Sequence, residues 1–193
     1  MNKRHHYNGL ITNIILNYVV HKTNYEFQHL IDKVFQETVK IENDIYFLVN
    51  KSDRTDGGRI IPRRTAPQDG TVWYQVYATR YDYLRSAKAM LHDWKHDTCV
   101  GKYLKEISMH KVPQKRFMDR DKGGRFSHRS YAGQFHLDYH KLEDRNIFGL
   151  EGYGGQATLI DFDNERIVSV VTVHTDYDYE GLVLKPLRNG RIQ

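Results

Sequence analysis

The hydrophobic period of this chain changes near residue 130, and that change limits the folds open to it. Before it, apolar residues recur every three or four positions, as they do on one face of a helix. After it, the apolar residues of 135–139 alternate with polar ones, which is typical of a half-buried strand. Two later apolar runs, 157–162 and 167–173, flank a polar turn at 163–165 and predict an antiparallel hairpin. Helices followed by strands predict an α+β fold.

The helical part contains several segments with recognisable starts. Residues 10–22 have an amphipathic period, and Asn24 is the predicted N-cap of a second helix. A short apolar run at 45–49 predicts a strand. Thr79 and Asp82 have the spacing of a capping box, so a third helix is expected from there. Its apolar face holds Leu84, Ala87, Leu91 and Trp94, and Asp97-Thr98 opens a shorter helix after it.

Two basic, turn-rich stretches interrupt the helical part, at about 50–70 and 112–130. We therefore divide the chain into residues 1–130, a helical subdomain portion, and residues 131–193, antiparallel strands. A net charge of +5 permits an acidic partner. The basic stretches carry no recognition helix or zinc finger, however, so we expect solvated loops and no specific nucleic-acid partner.

A glycine-rich segment near the C-terminus carries a family resemblance. It reads Gly149-Leu150-Glu151-Gly152-Tyr153-Gly154-Gly155-Gln156 and leads into the β-rich run from Ala157. It resembles the G-x-G-G-Q strand of serine hydrolases of the penicillin-binding and class C β-lactamase type, where that strand replaces a K-T-G triplet. The resemblance implies that Tyr153, Gly154 and Gly155 occupy the triplet. It also implies that the Gln156 N–H is an oxyanion donor, since small residues let substrate lie against backbone.

A second resemblance lies at the N-terminus. Tyr7-Asn8-Gly9 and the apolar helix after it are similar to the family's Y-x-[NS] segment, above all in its nylon-oligomer (aminohexanoate-dimer) hydrolase branch. The resemblance implies that Tyr7 helps to move the proton of the catalytic serine. Gly9 departs from the family, because Asn or Ser is usual at that position.

Together these segments imply the C-terminal part of a β-lactamase-like fold. The implied reaction is hydrolysis of a small-molecule ester, amide or β-lactam through an acyl-enzyme, without a cofactor. The family's S-x-x-K motif precedes its tyrosine motif, and only six residues precede Tyr7. We therefore expect the serine, the lysine and the missing N-terminal part of the same fold to lie outside this sequence. Such a chain would have little or no activity alone and an unpaired sheet edge, and its compartment is undetermined.

One S-x-x-K string does occur, Ser108-Met109-His110-Lys111. It follows the tyrosine motif instead of preceding it, and it stands at the end of a short helix beside Pro113. We interpret it as a chance match and not as a nucleophile.

Two histidine patterns raise the question of a metal. His92 and His96 have the spacing of the zinc helix H-E-x-x-H, but Asp93 replaces the Glu and no third ligand is evident. His136, Asp138 and His140 share one strand face. Both patterns are more typical of polar, solvated surfaces, so we predict no metal site. A single cysteine, Cys99, excludes an intramolecular disulfide, and no apolar run is long enough for a membrane span.

Two other functional classes remain open. One is a binding module of the same fold, in which the cleft holds a ligand without chemistry. The other is a basic nucleic-acid-associated protein, whose binding to DNA would depend steeply on salt.

Overall fold

The computed structural model describes residues 14–15, 18–19, 21–24, 26–41, 46–48, 75–114, 128–152, 155–172, 174 and 176–190. The chain forms two compact units that divide between Ser86 and Ala87. The boundary at residue 130, which follows the change of hydrophobic period, stays a prediction.

The first unit combines helix with a small two-stranded sheet. The described residues between 14 and 22 are helical, as the sequence predicts. Helix α1 (Phe27–Asp32) continues through π-helical turns at Lys33–Thr38. Strands β1 (Tyr46–Leu48) and β2 (Gln75–Tyr77) pair antiparallel.

The predicted N-cap at Asn24 is wrong. Helix α1 is preceded by Glu26, which makes no side-chain capping bond, and Asn24 has a φ of 52°. An N-cap residue needs an extended backbone so that its side chain can reach the first free amides. The left-handed backbone of Asn24 instead turns the chain before the helix begins.

Helix α2 (Arg80–Lys95) begins with the predicted capping box. The Thr79 N–H donates to Asp82 Oδ2 at 2.8 Å, and the Asp82 N–H donates to Thr79 Oγ1 at 3.3 Å. These reciprocal bonds serve backbone donors of the first turn, and the Asp82 N–H also donates to the Thr79 carbonyl at 3.1 Å.

Helix α3 (Cys99–Met109) follows after a short turn and is capped by Thr98, whose Oγ1 accepts from the Gly101 N–H at 3.2 Å. Gly101 lies so close to the Asp93 carbonyl that a Cβ could not fit. This contact holds the end of α2 against the first turn of α3.

An antiparallel sheet of six strands follows in the second unit, and its strand order is the chain order. The strands are β3 (Val112–Pro113), β4 (His128–Ala132), β5 (Phe135–Tyr139), β6 (Ile147–Glu151), β7 (Ala157–Asp161) and β8 (Arg166–Val170). The α+β class and the β7–β8 hairpin are confirmed, with Ala157 opposite Val170. The basic stretch at 112–130 is a strand at both ends, and its interior, like 50–70, lies outside the described residues.

Two hydrophobic clusters cover the two faces of this sheet. One joins residues of α2 and α3 to β5, β6 and β7, with the Trp94 ring stacked on Phe162 at 4.4 Å between centroids. The other joins the sheet to a C-terminal helix, which runs through π-helical turns (Glu180–Leu184) into α4 (Lys185–Asn189). Leu137 packs in the first cluster and Tyr139 in the second, although residues two apart on a regular strand share one face. Between them, Asp138 has a φ of 56°, which departs from the regular strand. None of the helices described is long and apolar enough to cross a membrane.

Candidate functional site

The glycine turn, residues 152–156, connects β6 to β7. The sequence places this segment on a strand, but Gly155 and Gln156 precede β7, and Tyr153 and Gly154 lie outside the described residues. The Gly152 N–H donates to the Gln156 carbonyl at 2.9 Å and closes the turn. Gly155 has a φ of 90°, which a continuous strand does not allow. Gly155 and Gln156 are therefore the entry to β7, whereas Gly149 to Glu151 of the same motif lie in β6.

Gly155 packs against another segment of the chain, whereas the resemblance implies small residues here so that substrate can lie against the backbone. It is buried, and a Cβ there would overlap the His174 carbonyl and lie 2.9 Å from Thr172 Cγ2. The Tyr177 hydroxyl donates to the Gly155 carbonyl at 2.9 Å. Backbone conformation and space both demand glycine, so the path of the turn is fixed by the segment that follows β8.

A buried tyrosine–glutamate cluster, formed by Tyr139, Glu151 and Tyr179, holds the start of the glycine turn. Glu151 Oε1 accepts hydrogen bonds from the Tyr139 hydroxyl at 2.9 Å and from the Tyr179 hydroxyl at 3.0 Å. Tyr139 ends β5, Glu151 ends β6, and Tyr179 immediately precedes the π-helical turns at the C-terminus. The cluster therefore ties three elements together at the point where the glycine turn begins.

Burial raises the pKa of Tyr139 and the pKa of Tyr179 well above the usual value of a phenol. The neighbouring Glu151 raises both pKa values further, because its negative charge opposes a tyrosinate and its oxygen accepts the phenol proton. Both phenols are thus neutral donors in the folded protein.

These raised pKa values predict a loss of stability in alkali. Below about pH 10 the folded and unfolded phenols are both protonated, so the two phenols add no pH dependence. Above it the unfolded phenols lose their protons while the folded ones keep them. The free energy of unfolding should then fall by about 1.4 kcal/mol per pH unit for each phenol. Urea unfolding between pH 8 and 11 measures the slope, and Tyr179→Phe should make it shallower. Equal slopes for both proteins would contradict the assignment.

Among the other residues suggested by sequence motifs, Ser108 and Lys111 have their described partners away from this turn. Tyr7 lies outside the described residues. The Ser108 hydroxyl donates to the Lys105 carbonyl at 2.7 Å, and Lys111 pairs with Asp138 at 2.5 Å. Ser108 and Lys111 therefore make no described contact through which a proton could pass between them.

The histidines of the strand pattern have separate polar contacts. His136 Nδ1 lies 3.1 Å from Gln114 Nε2, and His140 Nδ1 lies 3.2 Å from Arg129 Nη2. Asp138, between them, binds Lys111. Within the described part of the chain, no group of three or more His, Cys, Asp or Glu side chains could hold a metal ion.

Sequence reasoning missed the tyrosine–glutamate cluster. Its members are separated by 12 and 28 positions, which no local period or motif links. Glu151 stands inside the glycine-rich motif, but an acidic residue next to a glycine turn does not identify its donors.

The chain has no significant match among known proteins: no family model, no curated protein and no solved structure matches it.

Proposed function

We propose that this chain is the C-terminal part of a serine hydrolase with a β-lactamase-like fold. Its reaction would be hydrolysis of a small-molecule ester, amide or β-lactam through an acyl-enzyme. The observation that carries the proposal is Gly155, which is buried, has a φ of 90° and has no room for a Cβ where the chain enters β7. These contacts fix the backbone directly before Gln156, where the chain enters β7, an inner strand of the sheet.

The proposed role of the glycine turn is to stabilise negative charge during the reaction. A tetrahedral intermediate places negative charge on the former carbonyl oxygen, and fixed N–H donors stabilise that charge because they need no reorganisation. We assign the Gln156 N–H as one such donor. We assign the backbone from Tyr153 to Gly155 as the stretch that contacts the substrate. The tyrosine–glutamate cluster supports the role, because it anchors the residue before the turn.

The remaining chemistry is assigned to residues not described here. Tyr7 would transfer the proton of the serine, as the resemblance implies. The serine and its lysine would be supplied from outside these 193 residues. The contacts of Ser108 and Lys111 support this division, because each side chain has another partner.

The first test is the DNA sequence upstream of the Met1 codon. An open frame that encodes S-x-x-K on a predicted helix is the expected result. A stop codon and a start signal directly before Met1 would contradict the proposal and favour the ligand-binding module.

The 193-residue chain alone should not hydrolyse p-nitrophenyl esters or β-lactams faster than buffer does. Ser108→Ala should give the same rate, because the Ser108 hydroxyl is bonded to a backbone carbonyl of its own helix. Absorbance assays of the two purified proteins measure this. Turnover that disappears in Ser108→Ala would overturn both the proposal and the dismissal of Ser108.

In the protein encoded by the extended open frame, Gly155→Ala should lower kcat for an ester by about 10²–10³-fold, the usual cost of losing one oxyanion donor. The added Cβ would overlap the His174 carbonyl and displace the Gln156 amide. Gly190→Ala is the matched control, since Gly190 also has a positive φ (71°) but ends the C-terminal helix. Labelling with a fluorophosphonate should remain in both variants. Equal kcat values for the two variants would exclude the turn from the reaction.

A further inference from the structure

Two histidines lie one turn apart at the C-terminal end of α2, His92 in its last turn and His96 directly after its last residue. His92 and His96 are both exposed, and their ring centroids lie 4.3 Å apart with an angle of 37° between the ring planes. The backbone between them is regular, since the His96 N–H donates to the His92 carbonyl at 3.0 Å. In place of the sequence prediction of no metal site, we propose that His92 and His96 form a surface site for a divalent transition-metal ion, preferably Cu²⁺ or Zn²⁺.

The spacing suits chelation. Residues four apart on a helix are surface neighbours, so two imidazoles can bind one ion without a change of backbone. Each metal–nitrogen bond is about 2.0–2.1 Å, which rings already this close reach by rotation of their side chains. Because the protein supplies two ligands, water completes the coordination and the site is weaker than a structural zinc centre.

The position on the helix also favours a cation. Helix α2 ends at Lys95, and the carbonyl groups of a last turn carry partial negative charge. Lys95 itself is paired with Glu165 at 2.6 Å. Lys88 lies one turn before His92 on the same side of the helix, and its positive charge opposes binding.

Asp93 stands where the zinc helix of a protease has its general-base Glu, and its contacts differ from that role. Asp93 Oδ1 accepts a hydrogen bond from Thr98 Oγ1 at 2.8 Å, so that oxygen is committed to the start of α3. The site is therefore one for binding and not for activating water. Imidazole ligands select Cu²⁺ over Zn²⁺ and bind Mg²⁺ or Ca²⁺ poorly. The inference does not depend on the hydrolase proposal.

The test is calorimetric titration of the chain, without a purification tag, with Cu²⁺ and with Zn²⁺. His92→Ala and His96→Ala should each weaken binding at least about tenfold, because a single imidazole remains. His110→Ala is the matched control, since His110 is also exposed and lies near a helix end, beside Glu106. It should leave the affinity unchanged.

A second test looks for a variant that binds Zn²⁺ more tightly than wild type does. Lys88→Glu removes the opposing charge and adds a carboxylate one turn away, so it should tighten Zn²⁺ binding several-fold. The proposal is overturned if wild type binds neither ion, if His92→Ala and His96→Ala bind as wild type does, or if His110→Ala loses as much affinity.

Discussion

Replacing Gly149 by Ala should lower the free energy of unfolding by about 3 kcal/mol. Gly149 lies in the middle of β6, where a Cβ would overlap the Tyr139 hydroxyl and lie 2.7 Å from its Cζ. Tyr139 cannot move away, because it is fully buried and its hydroxyl is bonded to Glu151. The added methyl group must therefore displace a strand or break the tyrosine–glutamate cluster. Urea unfolding followed by circular dichroism measures the loss.

A double-mutant cycle tests this cause. Tyr139→Phe alone should cost about 1 kcal/mol for the lost hydrogen bond. In the double variant the methyl group no longer meets a hydroxyl, so the total loss should be smaller than the sum of the single losses. Gly152→Ala is the matched control in the same motif, since its nearest neighbour would lie at 3.7 Å, an ordinary contact. Additive losses, or an equal loss for Gly152→Ala, would show that the contact with Tyr139 is not responsible.

Local features of the fold were predictable because their causes are local. The capping box at Thr79 depends on a spacing of three residues, and the β7–β8 hairpin depends on two apolar runs around a polar turn. Asn24 has a residue type suited to an N-cap, but its left-handed backbone is set by how the chain enters α1. Residue type alone does not determine that geometry.

The candidate site was predictable only in part, because its geometry depends on distant residues. The motif indicates that Gly155 needs to be small. The reason, the overlap with the His174 carbonyl, involves a segment beyond β8. Similarly, the need for glycine at 149 comes from the phenol of Tyr139 on the neighbouring strand. Contacts of this kind follow from the register of the sheet, which one sequence does not specify in advance.

Replacing Asp161 by Ala should lower the free energy of unfolding by about 3 kcal/mol, toward the lower end of what breaking a buried ion pair costs. Asp161 ends β7 with no exposed surface. Its Oδ2 accepts from Arg145 Nη1 at 3.1 Å, and its Oδ1 accepts from the backbone amides of Asp163 and Asn164. The Arg145 side chain is 22% exposed, so water can solvate part of the charge left behind, which keeps the loss moderate.

Two further variants separate the charge of Asp161 from its role in the turn. Asp161→Asn removes the charge but keeps an acceptor oxygen for the Asp163 and Asn164 amides, so an intermediate loss is expected. Asp144→Ala, at an exposed aspartate, should change the free energy of unfolding by no more than about 0.5 kcal/mol. If Asp161→Asn costs as much as Asp161→Ala, the pair with Arg145 stabilises the hairpin. If the stability of Asp161→Asn is close to that of wild type, the hydrogen bonds from the Asp163 and Asn164 amides stabilise the hairpin. A loss for Asp161→Ala no greater than that for Asp144→Ala would rule out both contributions.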